Sequence, residues 1–214
     1  MENGALCRNL WLLAFHEMIM ALETERKIDG NFGRELSELD EETDYQFLFY
    51  DFILDLIYVL DSSRDYRDLL SVCETLLETF DWAKNDPTDI LTCYSECLEN
   101  TGSADKAIEF CRQWYEKSKG DQSAGASLVY LFTRARRFKE AEKVVGDFIM
   151  DDECDCCEEN EHIFCAASSL YQAEGDRVRM DWVNRKIDEY EQQEGNFGDG
   201  GDLSPDGDSY EDPD

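Results

Sequence analysis

The residues best equipped for chemistry in this chain are Cys154, Cys156 and Cys157, followed by His162 and Cys165. Thiolates and imidazole bind zinc, and four such ligands would close a tetrahedron. The spacing opposes that use. Structural zinc sites set paired cysteines about two to four residues apart so that a turn presents both sulfurs, whereas Cys156 and Cys157 are adjacent. Neighbouring acids also raise thiol pKa values, which disfavours thiolate chemistry of any kind. An exposed acidic loop without metal or cofactor is the expectation. Only two histidines occur, and His16 lies in an apolar helical stretch, as a core or edge residue rather than a base. No Gly-x-Ser-x-Gly elbow, phosphate-cradling glycine loop or His-Glu-x-x-His helix is present. With 51 Asp and Glu, carboxylate pairs are too abundant for any one to mark an acid and a base. The chain is not expected to be an enzyme.

Those 51 acids stand against 20 Lys and Arg, a formal net charge of −31. Such a field repels nucleic acid and anionic membrane, whose binding relies on Lys and Arg displacing counterions. It attracts basic proteins and peptides, and speeds their approach more than it sets their affinity. The nine cysteines are odd in number, and no basic-then-apolar leader precedes them. Cys73, Cys93, Cys97, Cys111 and Cys165 occupy places where helices want small hydrophobes, which suits reduced, buried thiols and a cytoplasmic location. No apolar run reaches the ~18 residues of a membrane span.

The elements that must position these side chains are helices throughout. The spacing predicts a helix from Ala5 to Lys27, with Leu6, Leu10, Leu13, Met18 and Leu22 near one stripe. An acidic loop, Glu35 to Asp44, leads to a helix from Tyr45 to Leu60 that is apolar nearly all round and should be enclosed on several sides. From Arg64 the rhythm becomes regular. One helix is marked by Tyr66 to Phe80, and Asp86-Pro87 opens the next, Thr88 to Asn100. Helices then follow over Ala104 to Lys117, Gln122 to Ala135, Phe138 to Met150, Glu158 to Ala173 and Asp176 to Gln192. No strand pattern appears. The chain reads as an all-α protein of about nine helices in antiparallel pairs. Its organisation is an N-terminal helical pair over 1–62, helical repeats over 63–192 and a glycine-rich acidic tail over 193–214, expected to be disordered.

Within the repeats, residues recur in kind at a spacing of 34: Leu98 and Phe132, Gly102 and Arg136, Ala107 and Ala141, Cys111 and Val145, Trp114 and Phe148. That is the period of a stacked helical hairpin, in which each unit buries its apolar face only against a neighbour. The pattern resembles the tetratricopeptide repeat. Leu91, Ser95, Leu98, Gly102, Ala107, Cys111 and Trp114 fill its positions in one unit, and Gly125, Val129, Phe132, Arg136, Ala141, Val145 and Phe148 in the next. Phe164, Ser168, Tyr171, Gly175, Met180, Asn184 and Ile187 form a third, displaced by the cysteine-rich insertion. The family's tryptophan, leucine-glycine pair and closing proline are missing, and Arg136 stands where glycine is usual. The runs ETFDWAKNDPTD and EENEHIFCAASSLYQAEGD are also similar to the repeat portion of bacterial proteins linked to a SEC-C zinc motif, though the acidic tail stands in that motif's place.

The resemblance implies a short right-handed tetratricopeptide-like α-solenoid whose concave face binds a partner. Carried over unit by unit, that face holds Thr92, Glu96, Glu99 and Asn100; then Ser127, Tyr130, Thr133 and Arg134; then His162, Cys165, Ser169 and Gln172. Tyr130 and Arg134 at its centre are residue types that anchor interfaces. The function implied is a non-enzymatic adaptor, a monomer, that grips a basic or amphipathic protein segment. The alternative is an acidic nucleic-acid mimic that blocks a basic DNA- or RNA-handling factor. Arg134, Arg136, Arg137, Lys139 and Lys143 form the main basic island. It either complements a helix end and nearby acids or docks the acidic tail.

Overall fold

The computed structural model of the protein describes residues 2–150 and 153–197. Met1, Asp151, Asp152 and residues 198–214, which include most of the expected disordered tail, lie outside the described residues. Among the described residues the chain forms ten α-helices and no strand: α1 (Glu2–Glu25), α2 (Leu36–Glu42), α3 (Phe49–Ser62), α4 (Tyr66–Thr79), α5 (Thr88–Asn100), α6 (Ala104–Lys117), α7 (Gln122–Arg134), α8 (Phe138–Gly146), α9 (Glu161–Glu174) and α10 (Arg177–Phe197). Two apolar cores meet at α5, one built from α1 to α5 and the other from α5 to α10. Helix α7 packs against α5, α6, α8 and α9, so the centre of the molecule is enclosed by helices on several sides.

Four hairpins close by one device. Arg64, Gly102, Arg136 and Gly175 all take the left-handed conformation, with φ of 55°, 85°, 56° and 80°. The next residue then donates its N–H back to a bulky residue five positions earlier: Asp65 to Leu60 (3.1 Å), Ser103 to Leu98 (2.8 Å), Arg137 to Phe132 (2.8 Å) and Asp176 to Tyr171 (2.9 Å). This is the Schellman geometry that satisfies orphan carbonyls at a helix end. Leu60, Leu98, Phe132 and Tyr171 are all buried, so each turn is tied to the core it closes. Arg136 therefore does the work of the missing glycine, at a steric cost of about 1–2 kcal/mol. The same turn at Arg64 joins α3 to α4 across the expected boundary at residue 62.

The middle of each hairpin repeats as well. Val129 and Val145 are both buried in α7 and α8. In the matching places Ser95 hydrogen-bonds Cys111, and Ser168 Oγ donates to Asn184 Oδ1 at 2.6 Å. The half-buried polar residues of the third unit, Ser168 and Asn184, are thus a mutually satisfied pair, which removes the penalty of burying either alone.

The N-terminal third departs from expectation. Residues 36–42 form α2 rather than a loop, because Leu36 and Leu39 are buried and Glu38 Oε2 accepts the N–H groups of Arg34 and Glu35 (3.0 and 3.3 Å). Buried Glu35 reaches across to the N–H groups of Ala83 and Lys84 (3.1 and 3.3 Å). Helix α3 starts at Phe49, since Asp44 and Tyr45 are left-handed (φ 51° and 57°). It is not enclosed all round: Ile53, Leu56 and Leu60 are buried, while Tyr58 is 73% exposed. In α1 the core side runs through Phe15 and Leu22, with Trp11 stacked on Phe52, and Leu10 and Leu13 face outward instead of sharing that stripe. His16 is exposed.

From α5 onward the expected helices recur with shifted ends. Helix α8 stops at Gly146, four residues early, where Tyr115 Oη donates to Asp147 (2.6 Å), and α10 runs on through residues 193–197, past the expected end at Gln192. At Gly125 the repeat pattern asks for a large apolar residue, but an added Cβ would lie 2.7 Å from the Phe148 ring and 2.8 Å from Ile163. Their side chains fill the space themselves. Replacing Gly125 by leucine should therefore overpack the contact between α7 and α9 and lower stability by about 1–3 kcal/mol in urea unfolding.

Candidate functional site

One open groove of about 530 Å³ runs across the front of the molecule. Its walls come from α3 (Leu54, Ile57, Tyr58, Asp61), α5 (Thr92, Glu96 and the residues beside them), α7 (Ser123, Ala126, Ser127, Tyr130, Arg134) and α9 (His162, Cys165), with Tyr66 and Leu69 of α4 at one end. These are the first helices of the four hairpins. Among the described residues, helices α6, α8 and α10, the second members of the later hairpins, contribute no wall residue. The similar closure of each turn brings equivalent faces of successive first helices to the same side.

Of the residues expected on the concave face, Thr92, Glu96, Ser127, Tyr130, Arg134, His162 and Cys165 line the groove. Glu99 and Ser169 stand behind it and hold its lining. Arg134 donates Nε to Glu99 Oε1 at 2.6 Å, with a second nitrogen 2.6 Å from Oε2, and its guanidinium lies 5.9 Å from the Tyr130 ring centroid. Ser169 hydrogen-bonds the Tyr130 phenol, whose pKa is raised by burial. His162 is braced by Ser123, whose Oγ is 3.2 Å from Nδ1, and its backbone N–H donates to Gln122 Oε1 (2.9 Å). Three positions do not belong. Thr133 is buried, Asn100 is exposed with its amide donating to the Glu96 carbonyl (2.9 Å), and Gln172 is exposed away from the groove. A one-residue offset on a helix turns a side chain by about 100°, enough to move it off the face.

Arg134 is not the free anchor that its residue type suggests, because the Nε–Nη2 edge of its guanidinium is committed to Glu99 on α5. The bidentate pair braces α5 against α7, contributing about 1 kcal/mol at this half-exposed site. The unpaired charges lie elsewhere. Among the described residues neither Asp61 nor Glu96 forms a salt bridge or side-chain hydrogen bond, while Asp89 accepts from Tyr50 Oη (3.3 Å). Glu96 is exposed at its edge, but the groove walls desolvate its carboxyl and raise its pKa, and Asp61 and Glu99 add to the effect. Arg134 offsets part of it. The α3 wall and its Asp61 were missed in the sequence because the repeat pattern is lost there.

The cysteine-rich segment is not an exposed loop. Cys156 is buried and Cys154 and Cys157 are half-buried, held by Asn160, which takes the Cys157 N–H (2.8 Å) and donates to the Asp155 carbonyl (3.0 Å). Burial pushes the Cys156 thiol up to about 12. Among the described residues no three of His, Cys, Asp and Glu draw together as a metal site. At the groove floor Cys93 hydrogen-bonds Cys97 and, away from the groove, Cys73. The Cys73 bond and burial raise the Cys93 thiol although the Cys97 bond offsets part of the rise, and the Cys93 bond and burial raise the Cys97 thiol, both far above their ordinary value. In the basic island Arg134 is taken by Glu99 and Arg137 by Glu140. Most of the acidic tail, the alternative partner of this island, lies outside the described residues.

Compared with family models, curated proteins and solved structures, the chain matches none. No helix is long and apolar enough to cross a membrane among the described residues.

Two measurements check this description. A carboxyl with a raised folded pKa destabilises the fold once it ionises, so stability falls as pH rises from the unfolded through the folded value. Glu96→Gln should accordingly raise the melting temperature at neutral pH, and the gain should vanish below the ordinary carboxylate range. A thiol reagent should label exposed Cys7 rapidly in the native protein, whereas Cys73, Cys93, Cys97, Cys111 and Cys156 should react only on unfolding.

Proposed function

We propose that the protein is a non-enzymatic, monomeric, tetratricopeptide-like adaptor that grips a segment of another protein in the groove between its hairpins. The observation that carries this reading is the shared groove itself: the first helices of four consecutive hairpins line it, and the second helices of the last three lie outside it. Stacked repeats characteristically recognise partners through such a continuous concave surface. Further support comes from the four matching turns, the first of them between α3 and α4, and from the resemblance of Leu91 to Phe148 to tetratricopeptide units. The thiols at the groove floor are held protonated, which suits a packing role better than nucleophilic chemistry. The nine cysteines suit the reducing cytoplasm.

The test is to fill the groove. Ser127 is half-exposed on its wall, so Ser127→Trp places a bulky ring in the channel. Affinity capture from a cell extract with the wild type should yield a defined partner that Ser127→Trp loses and that survives moderate salt. Identical captures by the two proteins would overturn the reading. So would a partner released steeply by salt and weakened only by removing acids all over the surface, the behaviour of a nucleic-acid mimic.

A further inference from the structure

The groove is unevenly furnished. Its α7 and α9 end presents small or already partnered groups: Ala126, Ser127, Arg134 held by Glu99, and His162 braced by Ser123. Its α3 and α5 end presents Leu54, Ile57 and the exposed ring of Tyr58 alongside Asp61 and Glu96, two carboxylates that form no salt bridge or side-chain hydrogen bond among the described residues, Glu96 feeling only the more distant charge of Arg134. Tyr58 and Asp61 are one helical turn apart on α3, so ring and carboxylate emerge on the same side. Glu96 faces them from α5 across the channel.

Resting on the adaptor reading, we propose that the α3–α5 end of the groove is the specificity pocket, and that it takes a lysine or arginine side chain of an amphipathic partner segment whose apolar residues lie along Leu54, Ile57 and Tyr58. The apolar stem of such a side chain fits an aromatic and aliphatic wall while its charged head reaches the acids. The face of Tyr58 adds attraction for a cation. Charge complementarity selects this occupant. An acidic segment would meet Asp61, Asp89 and Glu96 with one guanidinium, already neutralised, to receive it. An uncharged apolar segment would leave two carboxylates desolvated and unpaired, which is costly. A basic one relieves both.

The probe is a fluorescein-labelled leucine–lysine peptide with its leucines on one helical face, followed by anisotropy at physiological salt. The comparison peptide has glutamate in place of every lysine. The wild type should bind the lysine peptide and not the glutamate peptide. Asp61→Asn with Glu96→Gln should weaken binding about tenfold, whereas Asp105→Asn with Asp181→Asn, which removes the same charge from exposed positions away from the groove, should change it less than twofold. Equal losses in the two double variants would mean that net charge alone attracts the peptide, and would overturn the pocket. No binding to the wild type would overturn it as well. Ser127→Trp separates the two levels of the argument. If that variant loses the peptide while the Asp61 and Glu96 variant keeps it, the groove binds but the basic pocket is wrong. If it binds the peptide unchanged, the adaptor reading fails. Circular dichroism melts confirm that each variant is folded.

Discussion

The architecture depends on one hydrogen bond made four times, from the residue after a left-handed turn to the carbonyl of a buried Leu60, Leu98, Phe132 or Tyr171. Because the acceptor is a core residue, the bond does more than end a helix. It fixes the direction in which the next helix leaves, and hence which face of each first helix remains uncovered. Four similar exits place α3, α5, α7 and α9 around a common groove. Arg64 and Arg136 accept a strained backbone to keep that geometry, which shows how strongly packing on both sides of the turn over-determines it.

Electrostatics then divides the groove. A chain with a net charge of −31 has acids nearly everywhere, so their presence says little. What distinguishes Asp61 and Glu96 is their place on the groove wall without a salt bridge, Glu96 also being desolvated there, while Glu99 has Arg134, Glu140 has Arg137 and Glu142 has Arg179. The Glu99 and Glu142 pairs brace neighbouring helices, the Glu140 pair is local to the start of α8, and all contribute modestly to stability. The unpaired ones leave charge exposed to whatever enters. The same contrast demotes Arg134, whose side chain serves the scaffold first.

The cysteines follow the packing as well. Those in α4, α5 and α6 behave as small hydrophobes, and even Cys156, surrounded in sequence by acids, turns inward because Asn160 folds the segment back on itself. An acidic neighbourhood in sequence was a poor guide to exposure, since a single side-chain clamp decides which way such a short turn faces.

Helix type and most of the limits of α4 to α7 were legible in the sequence because apolar spacing, the Asp86-Pro87 start and the glycine at Gly102 are local signals that need no partner. The 34-residue spacing likewise announced hairpins of equal size. The α3 hairpin escaped notice because Arg64 replaces the expected glycine and α2 intervenes as a buried capping element rather than a loop. Seven of the twelve groove positions fell where the repeat register placed them. Thr133, Asn100 and Gln172 did not, because small rotations of a helix are set by its neighbours. By itself, then, the sequence determined that the chain is helical, acidic and built from hairpins, since those follow from composition and short-range periodicity. Only the tertiary structure decided which carboxylates are paired, which face of α3 is open and where the groove's unsatisfied charge lies, because each depends on residues brought together from far apart in the chain.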